Sequence, residues 1–196
     1  DPFLPNKIRE GNSDDIRECI GCNICIASWH DGVPVRCTQN ATAGEEWRRG
    51  WHPERFTHAP EPGNVLVVGG GPAGLEAALV AAKQGFEVTI AEQTDDWGGR
   101  VLQESQLPGM ATWRRVRDYR VWALSQMGNV SMYTNSELDA EAALSFGADH
   151  IAVATGARWT KRLYSALEIP AAPLDLPEIL TPEDVFTGSV SADRVL

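Results

Sequence analysis

The sequence has no surplus of basic charge. Lys and Arg number 17 against 27 Asp and Glu, a formal net charge of −10, with a pI near 4.8. Nucleic acid and anionic membrane surfaces select for clustered Lys and Arg, so this balance argues against both, and an acidic protein partner is disfavoured on the same ground. No apolar run approaches the length of a bilayer span, and the first residues have neither a basic region nor an apolar signal core. A cytoplasmic location is the expectation. Internal repeats and low-complexity tracts are also missing. The chain lacks an initiating Met, starting at Asp1-Pro2-Phe3, and it stops at Asp193-Arg194-Val195-Leu196, which reads like the opening of a buried strand. A piece of a longer polypeptide is expected. Cysteine is absent everywhere except in one short stretch.

That stretch holds Cys19, Cys22, Cys25 and Cys37, three at every third position and the fourth beyond a turn. Near neighbours on a short loop cannot all meet the separation and dihedral of a disulfide. They suit a metal, for which thiolates need a reducing compartment. Zinc sites usually bring two separated Cys-x-x-Cys knuckles, whereas Cys-x-x-Cys-x-x-Cys with one remote thiolate matches the pattern that holds the irons of a cubane. A [4Fe-4S] cluster is the leading expectation, with structural zinc and free or disulfide-bonded cysteine as alternatives.

Around these ligands the local signals are modest. Residues 1–12, rich in Pro, Gly and polar groups, read as irregular, and Ser13-Asp14-Asp15 offers an N-cap for a short helix over 16–22. Gly21 gives the backbone room to turn near sulfur or simply stops that helix. Thr42-Ala-Gly-Glu45 fits a capping box for one or two turns ended by Gly50, and Trp47 and Trp51 are expected to cover the cysteines from water. His30, His52 and His58 read as outer or surface groups rather than ligands. Residues 57–63, with Pro60 and Pro62, form a linker.

A second domain then begins. Asn64-Val-Leu-Val-Val68 has the composition of a strand buried on both faces, and Gly69-Gly70-Gly71-Pro72-Ala73-Gly74 follows at once, before an Ala-rich helix from Leu75 to Gln84. Strand, glycine turn and helix together are a dinucleotide-binding fingerprint in its required context. Gly69 permits the tight turn, Gly71 lets backbone approach a pyrophosphate, and Gly74 lets helix and strand pack closely, with Pro72 and Ala73 opening the helix whose N-terminus faces phosphate. Residues 86–92 alternate like a second strand. Glu92 at its tip, beside Gln93, either accepts from ribose hydroxyls and repels a 2'-phosphate or is a solvated strand-end charge. ADP, FAD or NAD is therefore favoured over NADP. After Trp97-Gly98-Gly99, Arg100 is placed to meet phosphate or to serve as a surface cation. Met110 to Met127 carries Trp113, Val116, Ala123 and Met127 at helical spacing as a packing stripe ended by Gly128, and Val130-Ser-Met-Tyr133 is a third strand. Glu137 and Leu138 fall where an adenine edge would lie, 141–146 reads as a helix, and 149–154 as a buried strand whose tip, Ala154-Thr155-Gly156, approaches the nucleotide. Beyond Arg158 the Pro-rich chain reads as connector, with Thr181-Pro-Glu-Asp184 starting one more short helix. The fold class is α/β: a Rossmann-like FAD/NAD(P)-binding domain with a parallel sheet (59–160), preceded by a small irregular cysteine-rich iron-sulfur segment (1–58) and followed by a connector (161–196).

Four stretches carry a resemblance over nearly the whole chain: Cys19-Ile-Gly-Cys22-Asn-Ile-Cys25, Arg36-Cys37-Thr-Gln-Asn-Ala-Thr-Ala-Gly-Glu-Glu46, Arg48-Arg-Gly-Trp-His-Pro-Glu54 and Ala154-Thr-Gly-Ala-Arg-Trp159. The chain resembles the trimethylamine, dimethylamine and histamine dehydrogenase family of iron-sulfur flavoproteins. The resemblance implies an FMN-bearing β/α barrel elsewhere in the same polypeptide, ADP or FAD in the adenine site, a homodimer when full length, and electrons passing from FMN through the cluster to an electron-transfer flavoprotein. It also implies that these residues alone do not turn over an amine. The related 2,4-dienoyl-CoA reductases share the layout, usually with one more residue between the second and third cysteines, and run electrons in from NADPH through FAD. A zinc-stabilised, non-catalytic nucleotide-binding scaffold is the third reading.

Overall fold

The computed structural model describes residues 1–160 and 180–190. The chain divides into two units, Asp1–Gly156 and Ala157–Leu196. The connector expected over 161–196 lies largely outside the described residues.

The first unit opens with a helix that composition hides. Helix α1 spans Leu4–Glu10, where irregular chain was expected. Pro5 sits in its first turn, where a missing N–H costs no hydrogen bond, and Gly11 closes it in the left-handed region at φ 76°. The helix predicted over 16–22 does not form. Ser13–Asp15 makes a single 3₁₀ turn, Ile16 is extended, and Gly21 (φ 70°) and Asn23 (φ 58°) are both left-handed. Burial of Ile20 against Val101 and Val116 outweighs helix propensity here. Helix α2 begins after Asn23 and runs Ile24–His30. Helix α3 (Glu46–Arg49) ends at left-handed Gly50 as predicted, without the capping box. Thr42 instead donates its Oγ1 hydrogen to Asn40 Oδ1 at 2.8 Å, and the Glu45 carboxylate is taken by Arg36, Arg48 and Arg49.

The rest of this unit is a parallel sheet with helices on both faces. Strands β1 (Asn64–Val68), β2 (Glu87–Ala91), β3 (Val130–Tyr133) and β4 (His150–Val153) lie in the order β3-β2-β1-β4, with Val67 opposite both Ile90 and Ala152. Between them run α4 (Pro72–Lys83), α5 (Arg100–Glu104), α6 (Arg115–Ser125) and α7 (Ala140–Ser145). Alternation along β1 sorts its side chains by face. Val65 and Val67 pack with Leu75, Ala78, Leu79 and Ala82 of α4 and Leu124 of α6, while Leu66 and Val68 pack with Ala143 of α7. Leu66, Leu75 and Ile90 are completely buried, each contributing about 1.5–3 kcal/mol relative to an exposed side chain. The helix expected from Met110 is a 3₁₀ turn over Ala111–Arg114 followed by α6, which stops before Gly128. Its buried stripe is Val116, Arg120 and Leu124; Ala123 and Met127 pack only in part.

In the second unit, α8 (Pro182–Phe186) forms as predicted, with the reciprocal Thr181–Asp184 capping box. Among the described residues no helix is long and apolar enough to cross a membrane.

Candidate functional site

At the C-terminal end of β1 the chain makes a turn that only glycine can complete. Gly69 has φ 107°, and a Cβ there would lie 2.4 Å from the carbonyl oxygen of Ala154. A Cβ on Gly74 would lie 1.9 Å from the Gly69 oxygen, so α4 crosses β1 at backbone distance. Gly71, the N-cap of α4, meets nothing within 4 Å. The first turn of α4, with Pro72 and Ala73, is thus reached past an open backbone position. A second glycine turn abuts it: Gly98 N–H donates to Gly70 O at 2.8 Å, and Gly99 approaches the Gly71 Cα. Arg100 opens α5 from this turn and pairs with Glu104 at 3.2 Å.

Glu92 is 6% exposed at the tip of β2. Its Oε2 accepts from Gly70 N–H at 2.7 Å, and Oε1 accepts from the N–H and Oγ1–H of Thr94, both at 2.9 Å. The carboxylate is a buried, fully engaged group, not a solvated strand end. Gln93 beside it is exposed. Ser136 and Asn135 donate backbone N–H groups to Glu92 O and Thr94 O, stitching the loop after β3 to the tip of β2. In that loop Glu137 is exposed, and Leu138 packs against the core of Leu66, Val68 and Ala143. Ala154 N–H bonds Val68 O at 2.8 Å, which carries Thr155 and Gly156 past the glycine turn. The sheet therefore gathers Gly69 to Gly74, Glu92, Gly99 and Ala154 at the carboxyl ends of β1, β2 and β4, the usual crevice for a nucleotide in such sheets.

The cysteines form a second cluster. All four are free, and all four line one cavity of about 130 Å³ together with Arg17, Ile20, Thr38 and Gln39. Gly21 N–H lies 3.3 Å from Cys19 Sγ, and Cys22 Sγ is 3.0 Å from Thr38 Oγ1. Burial pushes the Cys22 thiol up, but the Thr38 hydroxyl and backbone hydrogen bonds at Ile24, Cys22 and Thr38 outweigh it and hold the thiol below its ordinary range. Among the described residues no three His, Cys, Asp or Glu side chains close around a single ion. Four cysteines lining one cavity are the donor set that a four-iron cluster, with one thiolate to each iron, would need. Arg17, a cation among the lining residues, also fits a cavity that receives an anionic group.

The tryptophans do not cover this cavity. Trp47 is 95% exposed, and Trp51 packs on Phe56 under the Arg49 guanidinium. Nor do the histidines line it: His30 packs edge-on to Trp29, and His52 and His58 are exposed. The residues that seat the cysteine segment lay outside the motifs. Arg115 of α6 donates to Cys19 O at 2.9 Å and pairs with Glu18, and Thr112 donates to Ile20 O. Arg120, 3% exposed, donates to Glu76 Oε2 at 2.7 Å and to Gln39 Oε1 at 2.9 Å. Arg117 of the same helix holds Trp97 O and Asp96 beside the second glycine turn. Helix α6 thus touches both the cysteine segment and the nucleotide turn. The one sequence signal was Arg120 falling four residues after Val116 on the buried stripe.

Residues 64–155 match the family of FAD dependent oxidoreductases. Over 99% of its length the chain is 44% identical to dimethylamine dehydrogenase of Hyphomicrobium sp. (strain x), covering 28% of that protein. The solved histamine dehydrogenase from Rhizobium sp. 4-9 superposes with a TM-score of 0.89 at 48% identity, over 97% of this chain and 29% of that one. Over nearly its whole length the chain fits a segment of the dimethylamine and histamine dehydrogenases. The solved 6-hydroxypseudooxynicotine amine oxidase from Pseudomonas geniculata N1 is also similar, with a TM-score of 0.88 and 52% identity over 96% of this chain and 28% of that one. An NADH oxidase of Thermoanaerobacter brockii is 36% identical over 99% of this chain and 29% of its own length. The chain therefore spans under a third of the relatives it matches.

Proposed function

We propose that the chain is the electron-transfer portion of an iron-sulfur flavoprotein amine dehydrogenase that oxidatively demethylates or deaminates an alkylamine. The observation that carries this reading is the convergence of Cys19, Cys22, Cys25 and Cys37 on one cavity, joined through α6 to a nucleotide-type crevice. Bound there, a [4Fe-4S] cluster would supply one-electron exchange, passing electrons singly from an FMN in a barrel of the same polypeptide to an electron-transfer flavoprotein. The four cysteines supply its thiolates, and Thr38 and the Gly21 N–H steady two of the sulfurs. In the crevice, Gly69 to Gly74 presents the open N-terminus of α4 to a diphosphate. Glu92 stands on the ribose side of the crevice, its carboxylate bracing the glycine turn through the Gly70 N–H, with Gln93, Gly99, Arg100, Glu137, Leu138, Ala154, Thr155 and Gly156 around it. The preferred nucleotide is ADP, held structurally, and the cluster segment, nucleotide domain and connector are assigned to 1–58, 59–160 and 161–196.

The likeness to an NADH oxidase favours a second reading, a fragment of an NAD(P)H-dependent enoate or dienoyl-CoA reductase. Mass analysis of the nucleotide released on denaturation separates the two, since ADP supports the amine dehydrogenase and FAD the reductase. Iron and acid-labile sulfide assays on anaerobic protein test both. Zinc without sulfide would sink each and leave only the scaffold.

A further inference from the structure

Among the described residues, the one basic side chain that lines the cysteine cavity, Arg17, is held in an ion pair nearly shut off from water. Three charged residues line it: Asp1, Arg17 and Glu18. Asp1, 3% exposed, pairs with Lys7, which is 21% exposed, and its carboxylate also accepts from the Arg17 backbone N–H at 2.9 Å; Glu18 pairs with Arg115, where both side chains are more than a third exposed. Solvent screens the Glu18 pair and reaches the Asp1 pair only through Lys7. Arg17 differs. Its side chain is 6% exposed and pairs with Glu54, itself only 10% exposed, and its guanidinium sits 5.3 Å from the centroid of the Tyr119 ring. Its Nε is buried and has no hydrogen-bond partner among the described residues. Glu54 does not line the cavity and reaches Arg17 from a left-handed backbone conformation at φ 59°. A buried ion pair is weak evidence for a stabilising role, so an orphaned donor and a left-handed glutamate ask for another reason.

We propose that Arg17 and Glu54 are a positioning pair that sets the reduction potential of the group held by the four thiolates, Arg17 raising it and Glu54 lowering it. This rests on the reading of that group as a [4Fe-4S] cluster. An electron arriving on the cluster adds negative charge, which a nearby cation stabilises strongly where the local dielectric is low. Arg17 lines the cavity and Glu54 does not, so the cation acts at closer range.

The test uses the full-length enzyme that contains this chain, titrated anaerobically and followed by electron paramagnetic resonance of the reduced cluster. Arg17→Gln lowers the midpoint enough to change the reduced-to-oxidised ratio about tenfold at fixed potential, about 59 mV for one electron. Glu54→Gln moves it upward, and Arg17→Lys restores most of the wild-type value. A merely structural pair would not give shifts of opposite sign. Equal-sign shifts, or an unmoved midpoint with an intact spectrum, overturn the proposal. Should Arg17→Gln fail to fold, Glu54→Gln decides alone: a rise supports the proposal, and no change or a fall overturns it. A wild-type enzyme without iron or sulfide defeats the cluster reading itself, and this inference with it.

Discussion

Gly74 and Gly71 stand three residues apart in one turn, and the structure assigns them opposite liabilities. An alanine methyl at Gly74 would lie 1.9 Å from the Gly69 carbonyl oxygen, 3.0 Å from its carbon and 3.2 Å from the Ala154 Cβ. Two of these obstacles are backbone, so no side chain can rotate away and α4 must lift from β1. Overpacking of this kind costs about 1–3 kcal/mol, and the rigid obstacle argues for about 2–3. For a chain of this size that lowers Tm by about 4–12 °C. An alanine at Gly71 meets nothing within 4 Å, and its backbone, at φ −71° and ψ 178°, is one that alanine adopts freely. The fold should tolerate it, with stability unchanged or raised by less than about 1 kcal/mol through the unfolded state. Its methyl would nonetheless stand where backbone must approach a diphosphate. Thermal melts with calorimetric titration of ADP give the readout. Gly74→Ala should lose stability, whereas Gly71→Ala should keep it and lose at least about tenfold in ADP affinity. A destabilised Gly71→Ala, or a Gly74→Ala melting with wild type, would refute the assignment of close packing to one glycine and ligand approach to the other.

Arg120→Met should remove the buried link between α6, Glu76 and Gln39 and cost about 2–4 kcal/mol, because it strands a partly buried carboxylate. Limited proteolysis between Cys37 and Glu46 should then speed up, and an unchanged digestion pattern would show that Arg120 does not seat the cysteine segment. At Asp96 burial pushes the carboxyl up, but hydrogen bonds from Arg117 and the Trp97 N–H, with the Arg117 charge, hold it below the usual carboxylate range. Its folded pKa is depressed, so its contribution is fully present above about pH 4 and fades as pH falls through the lower folded value. Asp96→Asn should flatten that part of the stability profile; an identical acid limb in both proteins would count against the clamp. Cys37→Ser should lower iron and sulfide together in full-length protein, and retention of both would remove Cys37 from the ligand set.

Much of the nucleotide domain follows from neighbours in sequence. The apolar run of β1, the glycines at 69, 71 and 74, the alternation of β2 and the Thr181 capping box each depend on residues a few positions apart, where pattern and propensity act directly. Helix α1 was hidden because Pro5 reads as a breaker unless its place in the first turn is known. The helix expected over 16–22 failed because burial of Ile20 against Val101 and Val116 depends on residues some eighty to a hundred positions away. Distance in sequence also concealed Arg17 with Glu54, Arg115 with Cys19, and Arg120 with Gln39 and Glu76. Composition and spacing by themselves determined which atoms could bind metal and where a diphosphate could approach, since both depend on short loops and on backbone that only glycine permits. Only the tertiary structure decided which charges stand beside the thiols, that Glu92 is buried with both oxygens engaged, and that one helix touches both sites. Those outcomes arise when distant segments exclude water together, and no local pattern encodes that exclusion.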